Sequence, residues 1–470
     1  MHRASIFATS AFALVACWTL GCEQPKDQSP SDGARPPNIL WVTIDTSRAD
    51  HIGAYGYFRD TSPRFDAYAE ESLLFERCIT PMATTLPTHI SALTATYPNE
   101  HGVLANIQVG GKTFTPSAKL ISLAGFLRAR DYNTAAFTSA TTLKLWSGIQ
   151  RGFGVYDPSV KEMRPGDETT NRALEWLSQN SQAPFFLWVH MFDVHSPHEA
   201  PAGFDLFKDG APDQSAVDAY RSERKISDTG KRWRGDTVDT REEMNAYDAE
   251  IRFADQQLGR LLDALKASGL AESTAVVVMG DHGEGMGQHD FLRHDHVWGE
   301  QLHTPLLMHV PGVAPRRVPQ LVSIVDVFPT LLGMIDIPYE EQYLANVSGI
   351  DVLNDAPESR AILSQTSLRL QRYGIPFTYS LTTADWKFIS DETGNTKLFD
   401  LHTDPFELSD ISSDQPTVVA ELQAELDTQL AMQAKRHQQL TGTDNAAPDA
   451  VELDSATIEE LKALGYIDAQ

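Results

Sequence analysis

Residues 37–57, PNILWVTIDTSRADHIGAYGY, decide how the chain is read. The first half, Asn38 to Ile44, is an unbroken apolar and β-branched run, the pattern of a strand buried on both faces in a parallel sheet. The run stops at Asp45. In open α/β sheets ligands collect outside the carboxyl ends of the strands, so a carboxylate there is placed for a site. Two more stretches repeat the pattern. APFFLWVHMFDVHSPH (183–198) empties into Asp193, His195 and His198, and STAVVVMGDHGEG (273–285) empties into Asp281 and His282. Three buried strands ending in metal-ligand residue types say more together than any one alone.

Between these strands the spacing changes to three and four residues, which predicts helices over 171–180 and 247–269, the second stopping at Gly269. SIVDVFPTLLGMI (323–335) reads as a helix with a proline inside it or at its start. Strands alternating with helices predict a doubly wound α/β sheet. The charged, Asp- and Ser-rich region 206–240 reads as a surface insertion and candidate lid. Beyond about residue 360 the texture changes to short alternating strands, PFTYSLTTADWKFIS and TKLFDL, and then a helical pattern at 418–434. The expected organisation is a catalytic domain over 38–358 and a smaller C-terminal α+β subdomain over 359–470.

Sixty-four acidic residues against 38 Lys and Arg give a formal charge of −26, which repels nucleic acid and anionic lipid surfaces and argues against either as a partner. The first 22 residues have a short basic start and an apolar run too short to anchor in a bilayer, the form of a lipoprotein-type signal peptide. Cys17 or Cys22 would carry the lipid, and the Pro-, Ser- and Asp-rich stretch 23–37 would be a flexible tether. The expectation is an exported lipoprotein in the periplasm or at the cell surface, meeting the membrane only through that N-terminal anchor. Cys78 is then the lone cysteine of the mature body, with burial its simplest explanation.

Asp45, Asp281 and His282 are ordinary ligands of a divalent cation, and a hydroxyl beside such a cation loses its proton more readily. Thr85, in TTLPTHISALTATYP (84–98), offers that hydroxyl as a metal-bound nucleophile. Six of the 15 histidines fall between His282 and His309. His289 and His294 follow the Asp281 strand in a Gly-rich loop, where contacts to a metal or to phosphoryl oxygens are expected. His303 and His309, beside the next apolar strand, read as core or surface residues.

With these motifs in order, the chain resembles the sulfatase branch of the alkaline phosphatase superfamily. The resemblance runs from residue 38 to the end, through WVTIDTSRADHIGAYGY, TSPRFDAYAEESLLFERC, TLPTHISALTATYPNEHGV, DVHSPH, YDAEIRFADQQLGRLLDAL, GDHGEGMGQHD and KLFDLHTDPFELSDI. It implies an alkaline-phosphatase-like α/β sandwich with a large, mainly parallel central sheet. By resemblance, Asp45, Asp281 and His282 are metal ligands, Thr85 is the nucleophile, and His195, His294 and His89 contact the transferred anion. Asp193, His198 and His289 are candidate contacts to a second metal or to the anion.

The departures from the family pattern shape the functional expectation. Sulfatases carry two aspartates where this chain has Asp45-Thr46. Sulfatases also oxidise a cysteine or serine to formylglycine, and Thr85 cannot give that aldehyde because its β-carbon already bears a methyl group. Threonine at this position resembles the superfamily's phosphodiesterases and nucleotide pyrophosphatases. The expectation is a metal-dependent hydrolase of a phosphate mono- or diester acting through Thr85. The alternatives are a sulfate-ester hydrolase working without formylglycine, and an inactive lipid-tethered binding protein of the same fold. Zinc or manganese suits the donor set better than calcium, which prefers six or more oxygens. The substrate is expected to be a small-molecule, glycan or lipid ester.

Overall fold

The computed structural model describes residues 37–463 apart from 109–111, 161–162, 200, 205, 208–212, 232–236, 336, 338–346 and 442–452. The leader and all but the last residue of the tether lie outside the described residues, as do Cys17 and Cys22.

The strand Asn38–Ile44 forms where the apolar run predicts it, with every residue buried. It lies inside an eight-stranded sheet in the order Arg316–Ser323, Leu73–Ile79, His303–His309, Thr274–Gly280, Asn38–Ile44, Phe185–Met191, Asn133–Thr138, Val155–Asp157. Every pairing is parallel except the two made by His303–His309. Alternate side chains of the central strand enter two cores, as a two-residue period demands. Ile39 and Trp41 pack with Phe186, Trp188 and Val277 on one face. Leu40 and Val42 pack with Leu187, Val189 and Val278 on the other.

Helices cover both cores. Thr240–Ala267 lays Tyr247, Ile251, Leu258 and Leu261 over the second core, while Thr85–Thr94 buries Leu86, Ile90 and Leu93 in the first. The long helix starts seven residues before the expected 247. There the Asp239 carboxylate accepts the Arg241 and Glu242 amide protons, a cap that periodicity does not reveal. Gly269, at φ +70°, terminates it as expected. The predicted helix 323–335 is a 3₁₀ turn, Ile324–Asp326, followed by the α-helix Val327–Met334 with Pro329 in its first turn, where a missing amide proton costs nothing.

The C-terminal part holds four antiparallel strands in chain order, Ile362–Gln365, Thr378–Thr382, Trp386–Asp391 and Thr396–Asp400. The helix Pro416–Thr441 packs Leu426 against Leu363, Leu381, Phe388 and Leu398 of this sheet. Within the expected insertion, the described residues form the helix Gln214–Glu223 and a hairpin of Thr229–Lys231 with Thr237–Asp239. Cys78 is fully buried, and burial pushes its thiol up to about 12. Among the described residues no helix is long and apolar enough to cross a membrane.

Candidate active site

Strand register builds the site. Ile44 pairs with Met191 on one side and Gly280 on the other, so these three strands end level and deliver Asp45 and Asp281 to the same edge. Ligand atoms of Asp45, Asp281 and His282 all lie within 4.8 Å of one another, and all three residues are buried. The His282 Nδ1 proton is donated to the Gly283 carbonyl at 2.9 Å, which turns the Nε2 lone pair inward. Asp281 accepts the Thr46 and His282 amide protons on one oxygen, at 2.9 and 2.7 Å. Its other oxygen, Oδ2, and Asp45 Oδ1 have no hydrogen-bond partner.

Two unpartnered carboxylate oxygens buried side by side are costly unless a cation lies between them. Burial and the Asp281 charge push the Asp45 carboxyl well above its ordinary range. Burial pushes Asp281 up as well, but the imidazoles of His282, His89 and His190 outweigh it and hold it down. One carboxylate is thus kept charged and its neighbour is driven to take a proton or a metal. The donor set, two carboxylate oxygens and an imidazole nitrogen, fits a divalent cation.

Thr85 opens the helix Thr85–Thr94, with its hydroxyl 3.5 Å from His282 Nε2. A helix N-terminus presents free amide protons to an anion. The next amide, Leu86, is taken up by Asn106 Oδ1 at 2.8 Å, and the Asn106 Nδ2 donor is buried without a partner. His89, one turn along, donates Nδ1–H to the Thr85 carbonyl at 2.8 Å and leaves Nε2 unpartnered. Burial lowers its imidazole to about 3, so it is neutral.

On the opposite side His294 donates Nδ1–H to the Ala83 carbonyl at 3.0 Å, and His195 donates Nδ1–H to the Ser196 carbonyl at 2.7 Å. Their Nε2 atoms face each other at 3.3 Å. With both Nδ1 protons committed, a proton between the two Nε2 atoms would bridge the rings. Burial, then the charges of His294 and Arg293, hold His195 well below its ordinary value.

Thr46 stands at φ +52°, a conformation that β-branched residues rarely adopt. Its hydroxyl donates to the Val194 carbonyl at 2.7 Å, so it contributes structure, through its amide, and no oxygen to the ligand group. Two residues escaped the sequence reading. His190, inside the apolar run of its strand, reaches Asp45 Oδ2 at 3.1 Å, and Asn106 sits in a loop without any motif. A histidine within an otherwise apolar buried strand, beside a strand ending in aspartate, was the available clue for the first. Nothing marked the second.

Three expected contacts go elsewhere. Asp193 accepts the Gly166 amide proton at 2.9 Å and holds the start of the helix Gly166–Asn180. His198 Nδ1 pairs with Glu250 at 2.8 Å. His289 has both ring nitrogens engaged, with Glu300 and with the Glu407 carbonyl, and its ring stacks on Trp298 at 3.9 Å. Both ring nitrogens of His289 are therefore taken up within the protein. The positive-φ residues His289, Asp290, Arg293 and Asp295 swing the loop so that His294, at its far end, meets His282 and the Ala83 carbonyl.

A sulfatase family model matches residues 37–337, well over half of the chain. The chain belongs to the sulfatase family. A second model, the N-sulphoglucosamine sulphohydrolase C-terminal region, matches residues 287–436. The chain is 26% identical to an ulvan-active sulfatase of Formosa agariphila, over 91% of this chain and 88% of that one. It is 24% identical to an endo-4-O-sulfatase of Bacteroides thetaiotaomicron, over 87% and 94% of the two chains. In structure it is similar to a phosphonate monoester hydrolase of Agrobacterium radiobacter, with a TM-score of 0.67 at 20% identity over 89% of this chain and all of that one. This sulfatase-family protein is an ester-hydrolysing enzyme, and Asp45, Asp281 and His282 form a candidate divalent-metal site.

Proposed function

We propose that the protein hydrolyses phosphate mono- or diesters with Thr85 as nucleophile. The observation that carries this reading is a threonine hydroxyl, with no route to formylglycine, at the N-terminus of a helix and 3.5 Å from a metal-ligand imidazole. A cation held by Asp45, Asp281 and His282 would acidify that hydroxyl and offset charge developing on the phosphoryl group. Zinc or manganese fits this three-ligand set. The hydroxyl of Thr46, committed to the Val194 carbonyl, supplies none of the extra oxygens that calcium prefers.

The rest of the chemistry belongs to the chain. Asn106 Nδ2 is an unused donor beside the nucleophile, placed to hold a non-bridging oxygen. Thr85 enters as the alkoxide, its proton already lost to solvent, and leaves as the alkoxide again. As the Thr85 Oγ–phosphorus bond forms and the ester oxygen–phosphorus bond breaks, a proton held between His294 and His195 passes to the departing oxygen. The same pair, now one proton short, takes a proton from the water that opens the phosphothreonine and so restores the starting state.

The second reading is a sulfate ester attacked directly by Thr85. It draws on the glycan sulfatases among the relatives, and a glycan ester is the substrate class it implies. Paired turnover of nitrophenyl phosphate, bis-nitrophenyl phosphate and nitrophenyl sulfate separates the two. Phosphoester turnover that vanishes in Thr85→Ala and partly survives in Thr85→Ser is expected. Turnover of the sulfate ester alone would reverse the ranking, and full activity in Thr85→Ala would end both readings.

A further inference from the structure

Away from the Thr85 cluster, a cavity of about 450 Å³ opens between the carboxyl edge of the large sheet and the C-terminal sheet. Four cations line it, Arg48, Arg77, Arg224 and Lys387, in a chain whose formal charge is −26. Two of the three acids on its wall are paired with basic side chains, and the third accepts an amide proton. Asp50 takes a two-pronged contact from Arg48, at 2.9 Å on each oxygen, and a third from Arg224 at 3.4 Å. Glu300 is paired with His289 at 3.1 Å, and Glu407 accepts the Gly299 amide proton at 3.1 Å.

Two cations are left over. Arg77 donates only to the carbonyls of Thr383 and Ala384, at 2.7 and 3.1 Å. Lys387, 1% exposed, donates to the Thr382 hydroxyl at 3.3 Å. Among the described residues neither makes an ion pair; Arg77 is fastened to the turn between the strands Thr378–Thr382 and Trp386–Asp391, and Lys387 to the strand end just before it. Burial pulls the Lys387 ammonium below its ordinary value, opposed only by the more distant Glu407 and Glu300. A buried ammonium and a half-buried guanidinium that line one cavity, with carboxylates acting on them only from beyond direct contact, make an arrangement that an oxyanion completes.

We propose that this cavity is a second anion site, taking a small tetrahedral oxyanion, inorganic phosphate or sulfate, between Lys387 and Arg77. It shares no residue with the Thr85, Asp45 and Asp281 group, and it stands whichever ester the enzyme cleaves. Anions of this class are also what hydrolysis of either ester releases.

The test counts ions. Equilibrium dialysis of the full-length protein against labelled phosphate, and separately labelled sulfate, gives the number bound per chain. Wild type is expected to bind one more ion than Lys387→Met. Arg77→Gln, a change at a half-buried side chain, should weaken that additional site about tenfold or more, the effect of losing one charge-assisted contact. Both variants should keep wild-type ester turnover, because neither residue touches the catalytic group. Binding of phosphate but not sulfate, or the reverse, would identify which oxyanion the cavity takes. Equal stoichiometry and affinity in wild type and Arg77→Gln would overturn the proposal and leave a cavity filled by water, and melting curves of Lys387→Met show whether that variant is folded.

Discussion

Replacing Asp281 by asparagine tests the metal site without dismantling the turn that builds it. Asn Oδ1 can still accept the Thr46 and His282 amide protons now held at 2.9 and 2.7 Å, so the loop keeps its anchors. What changes is Oδ2, the oxygen without a partner, which becomes an NH₂ group facing the other ligands. In wild type, stripping the cation leaves two carboxylates with oxygens no more than 4.8 Å apart. At an effective dielectric of about 20, their repulsion is about 3.5 kcal/mol or more while both stay charged, and it falls to the extent that Asp45 takes a proton. A cation present at about 100 times its dissociation constant adds roughly 2.7 kcal/mol of stability, on the order of 5 °C in melting temperature for a domain of this size. Thermal unfolding with and without a chelator, with metal content measured alongside, is the assay. Wild type should lose several degrees on chelation. Asp281→Asn should bind little metal, show almost no chelator shift, and melt no lower than chelated wild type. A chelator shift of wild-type size in Asp281→Asn would place the cation elsewhere and remove the basis for the ligand assignment.

Three further outcomes follow from buried groups. His190→Leu leaves Asp45 Oδ2 without its 3.1 Å partner, so metal affinity in a chelator titration should fall about tenfold or more, the usual cost of losing a ligand's supporting contact, with His190→Gln in between. His89, His101 and His190 are held neutral by burial, at about 3, about 3 and about 4. The unfolded chain protonates them below about pH 6.5, so their contribution to stability is complete above that pH and lost as the pH falls towards 4. Each is worth about 2 kcal/mol at pH 5. A melting temperature that stays flat from pH 7 to 5 would contradict this, and His101→Gln should reduce the slope by about one proton. Cys78, buried and pushed up to about 12, should resist a thiol reagent in the native protein and react once denaturant unfolds it.

The candidate metal-ligand group was legible in the sequence because each of its strands is a mainly apolar, β-branched run that halts at an aspartate. Such runs end together when parallel strands share a register, as Ile44, Met191 and Gly280 do. Side chains that act from within a strand or a loop were harder to read. His190 is masked by the apolar run around it, and Asn106 contributes through a single amide in an irregular segment. Proximity along the chain also misled. His289 lies closer than His294 to the Asp281 strand, yet it serves the contact with the C-terminal part, because backbone turns at positive φ reverse the loop between them. Helix starts failed for a related reason. The Asp239 cap lies outside the apolar periodicity from which the helix was predicted.

The turn at Thr46 bears on the donor count of the site. A β-branched residue at φ +52° is held there by its neighbours at a cost that aspartate or asparagine would scarcely incur. The backbone is therefore already shaped for the second carboxylate that sulfatases carry at this position. An aspartate here would occupy the same turn without remaking it. One side chain thus decides how many oxygens this turn offers a cation while the fold beneath it stays still, and Thr46→Asp is the substitution that adds one.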